Sequence, residues 1–450
     1  MAALKLAALF LLTAATGSQD LQARLDDVVA APSGAPGCAI AVMRDGKMVA
    51  SAATGLADVD ARLPNTLDTQ FYAASVSKQF TAMAIVQLVT AGKLGLDDDA
   101  RRYLPELPDY GRVITVRMLL HHMAGIVDDV NLAVLEGQLD ANQATRSNSL
   151  AMLFRQRATR FVPGTRFEYS NGGYLLLSEI VERVSRERFE TYVQSHILKP
   201  LGMTRSFMMR DARGPYTNRA RGYRWSDGTA APADRYPSIG GSGGLITTIG
   251  DLVKWDHDID TGHKVWSPTI TRLMLEEGRF ANGAPVTRRG HSFSYAGGLG
   301  IGPHWMQHTG SANGFVSIYA RRPADRAAIA MLCNDGAIDI MAKANAASAL
   351  LGPDAPPIDE PEINIRKLDG TYRNANIAAA WDVKTTDDEL MLTIRPPMAD
   401  SKPSELTLTR TPGGEYRFTG LVLIPDDDGD GFTVTFGLVS YHFDRESTTG

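Results

Sequence analysis

Ser75 and Lys78 stand three positions apart in Ser75-Val76-Ser77-Lys78, a spacing that puts two side chains on one face of a helix. A serine hydroxyl is a poor nucleophile until a base takes its proton. A lysine held among apolar groups loses affinity for its own proton and can be that base. Tyr72-Ala73-Ala74 before the motif, and Phe80, Met83 and Ala84 after it, supply an apolar setting. A serine at a helix start also meets free backbone N–H groups and the positive end of the helix dipole, which favour developing negative charge. Two fixed residues in four arise by chance about once in a chain of this length. The motif alone therefore leaves open a helix-capping serine followed by a solvated lysine.

Two further segments strengthen the case. Tyr169-Ser170-Asn171 follows the turn signal Pro163-Gly164 and precedes a helical pattern beginning at Tyr174. A phenol beside a lysine can share or relay its proton, and an asparagine amide can bond both the lysine and a substrate carbonyl. Tyr-x-Asn recurs at Tyr216–Asn218 and Tyr372–Asn374, where a Gly/Pro-rich loop and a β-rich tail make chance the better reading. His308-Thr309-Gly310-Ser311 ends a strand-like run. An edge strand there, beside Ser75, would let the Ser311 and Ser75 backbone N–H groups form an oxyanion hole. His308 would add a donor whose charge varies near neutral pH. A lone histidine at a strand end is otherwise an ordinary hydrogen-bonded residue.

The elements that must position these groups are legible in outline. Gly37–Arg44 and Lys47–Thr54 flank Asp45-Gly46, a two-residue hairpin signal. Ser75–Ala91 carries no Pro or Gly and reads as a buried helix stopped by Gly92. Tyr174–Ser185 is amphipathic. Strands return at Trp305–Thr309, Gly314–Ala320 and Ala327–Leu332. The prolines at 353, 356, 357 and 361 mark residues 352–362 as a stiff linker, separating a hydrolase-like domain (18–351) from a β-rich domain (363–450). The tail alternates short strands with turns at Asp387-Asp388, Pro412–Gly414 and Asp428–Gly431, the pattern of an antiparallel sandwich or barrel. Cys38 and Cys333 sit in apolar strand-like runs and read as two buried thiols; if the terminal strands of the first domain join one sheet, a disulfide is the alternative.

In this order the three motifs resemble the serine β-lactamase and penicillin-binding-protein family, and most closely its class C-type branch of DD-peptidases, esterases and D-aminopeptidases. Thr69-Gln70-Phe71, Leu119–Gly125 with Ala124 where the family has Ser, Pro163–Asn171, Pro200–Met203, and Gly243-Gly244-Leu245 with Asp251-Leu252 downstream extend the likeness over about residues 35–335. The resemblance implies an α/β (α+β) fold, a β-lactamase/transpeptidase-like antiparallel sheet with a helical subdomain, here followed by a C-terminal antiparallel β-barrel-like domain. It implies Ser75 as the acyl-forming nucleophile, Lys78 and Tyr169 as shared general base, and Asn171, His308, Gly310 and Ser311 as substrate and oxyanion contacts. No cofactor or metal is expected. His308 stands where β-lactamases usually have lysine, which takes away a fixed cation for the carboxylate of a β-lactam. The expected substrates are small esters, amides or D-amino-acid peptides; the alternatives are a β-lactamase or DD-carboxypeptidase, and a sensor that acylates without turnover.

Rival motifs are weaker. Gly240-Gly241-Ser242-Gly243-Gly244 formally matches a nucleophile elbow, but Arg235–Ser238 is a poor strand to precede one. Asp426–Gly431 resembles the start of a calcium loop whose twelfth position would be Gly437 rather than glutamate, so an acidic turn is the better reading. His121-His122 is not a helix-face pair, and no Cys/His spacing supports zinc. The chain of 450 residues, with net charge −5, 44% hydrophobic and 22% charged residues, is expected to be globular and not to bind nucleic acid. Lys5, the apolar run Leu6–Ala15 and the small residues to Gly17 have the layout of a secretory signal peptide over 1–17, too short for a stable membrane anchor. An exported, periplasmic or secreted location is the expectation.

Overall fold

A computed structural model describes residues 21–135, 145–209, 219–226, 229–233, 240–286, 294–352, 355–358 and 368–446, the last span without 375–376, 387–388, 396–401, 411–415, 419–420, 426–430 and 437–438. The leader at 1–17, Tyr216–Asn218, Arg235–Ser238, the turns at 387–388 and 412–414, the acidic run 426–430 and most of the linker lie outside the described residues. The chain divides into two compact units, with Met1–Val286 and Ser294–Glu360 in the first and Pro361–Gly450 in the second.

The first unit is built on a seven-stranded antiparallel sheet ordered Ser294–Tyr295, Gly300–Ile301, Met306–Ala312, Phe315–Arg322, Ala327–Cys333, Cys38–Arg44, Lys47–Ala53. The hairpin at Asp45-Gly46 forms as its sequence demands, with φ of +54° and +66° at the two turn residues. The strands near the two ends of the domain pair side by side, with Cys38 directly opposite Cys333. Their Cα atoms are 4.0 Å apart and the sulfurs form a disulfide, so the reading of two buried thiols is corrected. Nothing local to either cysteine announces its partner, 295 residues away.

Successive strand residues face opposite ways, so the sheet buries two layers. Ile40, Val42, Ile318, Ile329 and Met331 pack against the helix over 21–28 and the helix Ile340–Ala349. Ala41, Met43, Tyr319, Ala328 and Ala330 face the larger core that holds the helix Lys78–Thr90. That helix is apolar on nearly every side and is buried accordingly; ten of its thirteen residues, Lys78 included, are out of solvent. It ends at Gly92, whose φ of +67° lets the Lys93 N–H return to the Leu88 carbonyl at 2.9 Å. Below it lies a helical region containing Val116–Leu120, Asp129–Leu135, Arg146–Arg155 and Asn171–Ser185.

The second unit is a closed eight-stranded antiparallel barrel running from Gly370–Asn374 to Val439–Arg445. Pairing of Tyr372 with Arg445 joins the first strand to the last. Tyr372, Trp381, Leu392, Phe432 and Phe443 help fill its interior, and the Tyr372 hydroxyl donates to the Leu368 carbonyl, so this Tyr-x-Asn is structural. The fold is therefore the mixed α/β architecture with a terminal barrel. Among the described residues no helix is long and apolar enough to cross a membrane, and no group of three or more His, Cys, Asp or Glu is placed to hold a metal ion.

Candidate active site

The Ser75 segment leaves the strand Phe71–Tyr72, turns through a single 3-10 turn at Ala74–Ser77 and enters the helix Lys78–Thr90. Ala74 takes a φ of +45°, a left-handed conformation that costs a non-glycine residue about 1–3 kcal/mol. Its surroundings hold it there. The Ala73 N–H donates to Leu245 O at 2.9 Å, and Ala73 O accepts from Val76 N–H at 3.1 Å and from the Ser317 hydroxyl at 2.8 Å. Ser77, the third motif residue, clamps the turn to the strand Leu245–Thr247 by donating to Ala74 O and accepting from the Leu245 N–H at 2.9 Å.

Lys78 is fully buried. Its Nζ lies 2.8 Å from Asn171 Oδ1, 2.8 Å from the Ser242 carbonyl oxygen and 3.2 Å from Ser75 Oγ. The first two partners can only accept. A neutral amine has two hydrogens and one lone pair; with both hydrogens taken by Asn171 and Ser242, the lone pair is left for the Ser75 hydroxyl, which then donates. Burial pushes the Lys78 pKa down to about 7, against the opposing pull of the Asp128 and Asp129 charges, so the neutral form is well populated near neutral pH. Asp129 is buried as well and its carboxyl is pushed up to about 7, by burial first and by Asp128 second.

Tyr169 places its ring centre 4.7 Å from the Lys78 nitrogen, and that of Tyr174 lies 5.5 Å away. Asn171 opens the helix Asn171–Ser185, capped by the Ser170 hydroxyl on the Gly173 N–H. The helix starts three residues before the position the sequence pattern gave, because Gly172 and Gly173 look like breakers. Gly172 is needed there: a Cβ on it would come within 2.5 Å of the Val127 carbonyl oxygen.

The strand Met306–Ala312 is paired on one side only beyond Gln307, so its His308–Ala312 half presents an edge. That edge lies against the Ser75 turn. A Cβ on Gly310 would sit 2.5 Å from Ala73 O and 3.0 Å from the Ser75 nitrogen, so only glycine permits the approach. Ser311 is exposed one residue further along. His308 is buried with its ring 6.1 Å from that of Tyr169; its Nε2 is 2.9 Å from the Tyr295 hydroxyl and its Nδ1 2.5 Å from the Thr309 carbonyl. A neutral ring with its proton on Nδ1 satisfies both contacts.

All three segments thus meet around one buried amine, and Ser75, Lys78, Tyr169, Asn171, His308 and Gly310 are brought together. Asp128 and Tyr295 are contributors that the sequence reading does not name, and His122 and Ser242, which it names, contribute in other ways than it expects. Asp128 accepts from Asn171; Tyr295 holds His308; His122 sets its ring, tilted by 36°, with its centre 4.4 Å from that of Tyr169 and accepts the Ser170 N–H at 3.1 Å; and Ser242 supplies a backbone carbonyl. The leucine-rich segment leading to His122 carried a family signal, whereas a carbonyl oxygen carries none. Gly240–Gly244 is not a nucleophile elbow. It is followed by the strand Leu245–Thr247 rather than a helix, and it reaches the site through the main chain of Ser242 and Gly241, whose carbonyl takes the Thr81 hydroxyl at 2.7 Å.

Comparison with known proteins agrees with this geometry. The D-aminopeptidase of Cereibacter sphaeroides is 27% identical over 73% of this chain and 62% of its own length. That of Brucella anthropi is 28% identical over 62% of this chain and 52% of its own. The chain thus matches about three-fifths or less of the length of these curated relatives. Among solved structures, a penicillin-binding-protein homologue from Pyrococcus abyssi shares the fold over 96% of this chain and 99% of its own, with TM-score 0.65 and 24% identity. D-amino acid amidase from Ochrobactrum anthropi does so over 71% and 91%, with TM-score 0.59 and 24% identity. A family model described as Beta-lactamase matches residues 25–352, and with nearly three-quarters of its length inside that match the chain belongs to the beta-lactamase family.

Proposed function

We propose that this protein is a serine hydrolase that acylates Ser75 with small amides, D-amino-acid peptides or esters. One observation carries the reading: a buried amine lies 2.8 Å from two acceptors, Asn171 Oδ1 and the Ser242 carbonyl, that can take its hydrogens, and 3.2 Å from the Ser75 hydroxyl, which a neutral lysine would meet with its lone pair. Ser75 Oγ attacks the substrate carbonyl carbon as its proton passes to Lys78. The oxyanion is received by the backbone N–H groups of Ser75 and Ser311. Collapse of the adduct expels the amine or alcohol, which takes up the proton from Lys78, with Tyr169 beside it as alternative donor. Water then attacks the acyl-enzyme, gives its proton to Lys78 and frees the acid, restoring Ser75. No cofactor enters. Asn171 positions the substrate carbonyl side of the cleft, and His308 with Tyr295 offers a polar wall.

D-amino-acid peptides and amides head the list because the curated relatives named above are D-aminopeptidases, and because a histidine, His308, stands where a fixed cation would meet a β-lactam carboxylate. Export is part of the proposal: the apolar run Leu6–Ala15 behind Lys5 suits a leader, and the Cys38–Cys333 bridge suits an oxidising compartment.

Intact-mass analysis after incubation with D-aminoacyl amides, p-nitrophenyl esters and β-lactams tests the reading. The expected result is an acyl adduct on Ser75 with sustained turnover of an amide or ester, abolished in Ser75→Ala and kept in Ser242→Ala. Loss confined to the Ser242 variant would overturn the assignment, and a burst with no steady turnover on any acyl donor would replace the hydrolase by a sensor.

A further inference from the structure

Asp128 belongs to none of the motifs, yet it governs how Asn171 meets Lys78. Its Oδ2 accepts the Asn171 backbone N–H at 2.8 Å and the Asn171 side-chain Nδ2 at 2.9 Å. Its Oδ1 accepts the Asn131 N–H at 3.0 Å, at the start of the helix Asp129–Leu135. An ionised carboxylate has no hydrogen to give. The Asn171 amide must therefore turn its NH2 toward Asp128 and its oxygen toward Lys78. Turned the other way, the amide would set its own hydrogens against the amine and free one lysine hydrogen to point at Ser75. The absence of a side chain on Gly172, packed on Val127, lets the two segments come close enough for this grip.

We infer that Asp128 is a positioning residue for the Ser75–Lys78 reaction: it locks the Asn171 amide oxygen onto the lysine so that the amine lone pair remains aimed at the serine hydroxyl. The inference rests on the reading of Ser75 and Lys78 given above. The groups facing Lys78 are Asp128 and Asp129 from the start of their helix, Tyr169 and Tyr174 from around the Asn171 helix, and Ser75 from its own turn; His308 lies beyond Tyr169 on the strand. Of these, the two aspartates pull the Lys78 pKa up while burial pulls it down. Removing the Asp128 charge then has two separable consequences. The amide loses its anchor, which lowers the rate, and the lysine becomes neutral at a lower pH, which moves the acid limb.

The test uses full-length wild type, Asp128→Asn and Asp128→Ser, the last keeping a helix-capping oxygen without charge. Each is assayed with p-nitrophenyl acetate across pH, and Lys78 is titrated separately by NMR of 13Cε-lysine-labelled protein. Both variants should lose about tenfold or more in kcat with KM little changed, and the kinetic acid limb and the NMR midpoint should both fall by about half a pH unit or more. A merely structural role would lower the folded fraction and leave both midpoints in place, and that result overturns the inference. If wild type shows no Ser75-dependent turnover, the hydrolase reading fails and takes the inference with it; a wild type with Ser75-dependent turnover whose kcat both variants keep overturns the inference alone.

Discussion

Replacing Lys78 by methionine should change the pH dependence of stability in a way that can be worked out beforehand. In the unfolded chain this lysine titrates near its ordinary 10.5, and in the folded protein at about 7, because burial penalises its charge. Between those values the unfolded chain holds a proton that the folded one has given up. The native state therefore gains stability with rising pH, by about 1.4 kcal/mol per pH unit. From about pH 8 to about pH 10 the gain is about 3 kcal/mol, and it is absent from the methionine variant. Asp129 does not confuse the window: its pKa is raised to about 7, so the stability it lends to the acid side is already lost by pH 8. A comparison at one pH would decide nothing. Methionine relieves the cost of burying an amine, yet leaves Asn171 Oδ1 and the Ser242 carbonyl without their donor, a penalty of about 1–3 kcal/mol each. The slope is free of that offset. Urea melts of both proteins across the window measure it, and parallel stability curves would refute the claim that Lys78 is buried with a depressed pKa. Turnover should be lost in the same variant.

Gly310→Ala should force the edge strand off the Ser75 turn, since the added methyl would lie 2.5 Å from Ala73 O; a loss of about 1–3 kcal/mol in melts and a fall in acylation rate larger than the fall in folded protein are expected. Tyr295→Phe removes the hydroxyl bonded to His308 and should cost about 1–3 kcal/mol in urea melts, with a fall of about tenfold in kcat/KM that persists where the variant is fully folded. Titration of denatured protein should find no free thiols until a reductant is added, and Cys333→Ser should lower stability by about 2–5 kcal/mol.

The sequence made the local parts of this site legible and left the crossings hidden. Ser75 and Lys78 could be paired because three residues on a helical turn must share a face, and Gly310 stood out because a strand pattern ended there. The barrel was readable from alternating short strands, although the strands Gly370–Asn374 and Leu421–Pro425 were not among those read from the sequence. Asp128 was invisible because its grip on Asn171 spans 43 residues and depends on a glycine that sequence patterning counts only as a helix breaker. Ser242 was noticed for its side chain and matters for its carbonyl oxygen. The cysteines lay in strands whose adjacency is decided by the topology of the whole domain rather than by their neighbours.

That adjacency has a consequence for biosynthesis. The strand beginning at Cys38 finds its inner neighbour only when Cys333 has been made, 295 residues later, which at ribosomal speeds of about 5–20 residues per second is a wait of about 15–60 s. Until then Ile40, Val42 and Met43 have the hairpin strand Lys47–Ala53 on one flank and an open edge on the other. The nascent chain is thus kept from closing its central sheet early, and remains threadable, or open to a holdase, for most of its synthesis.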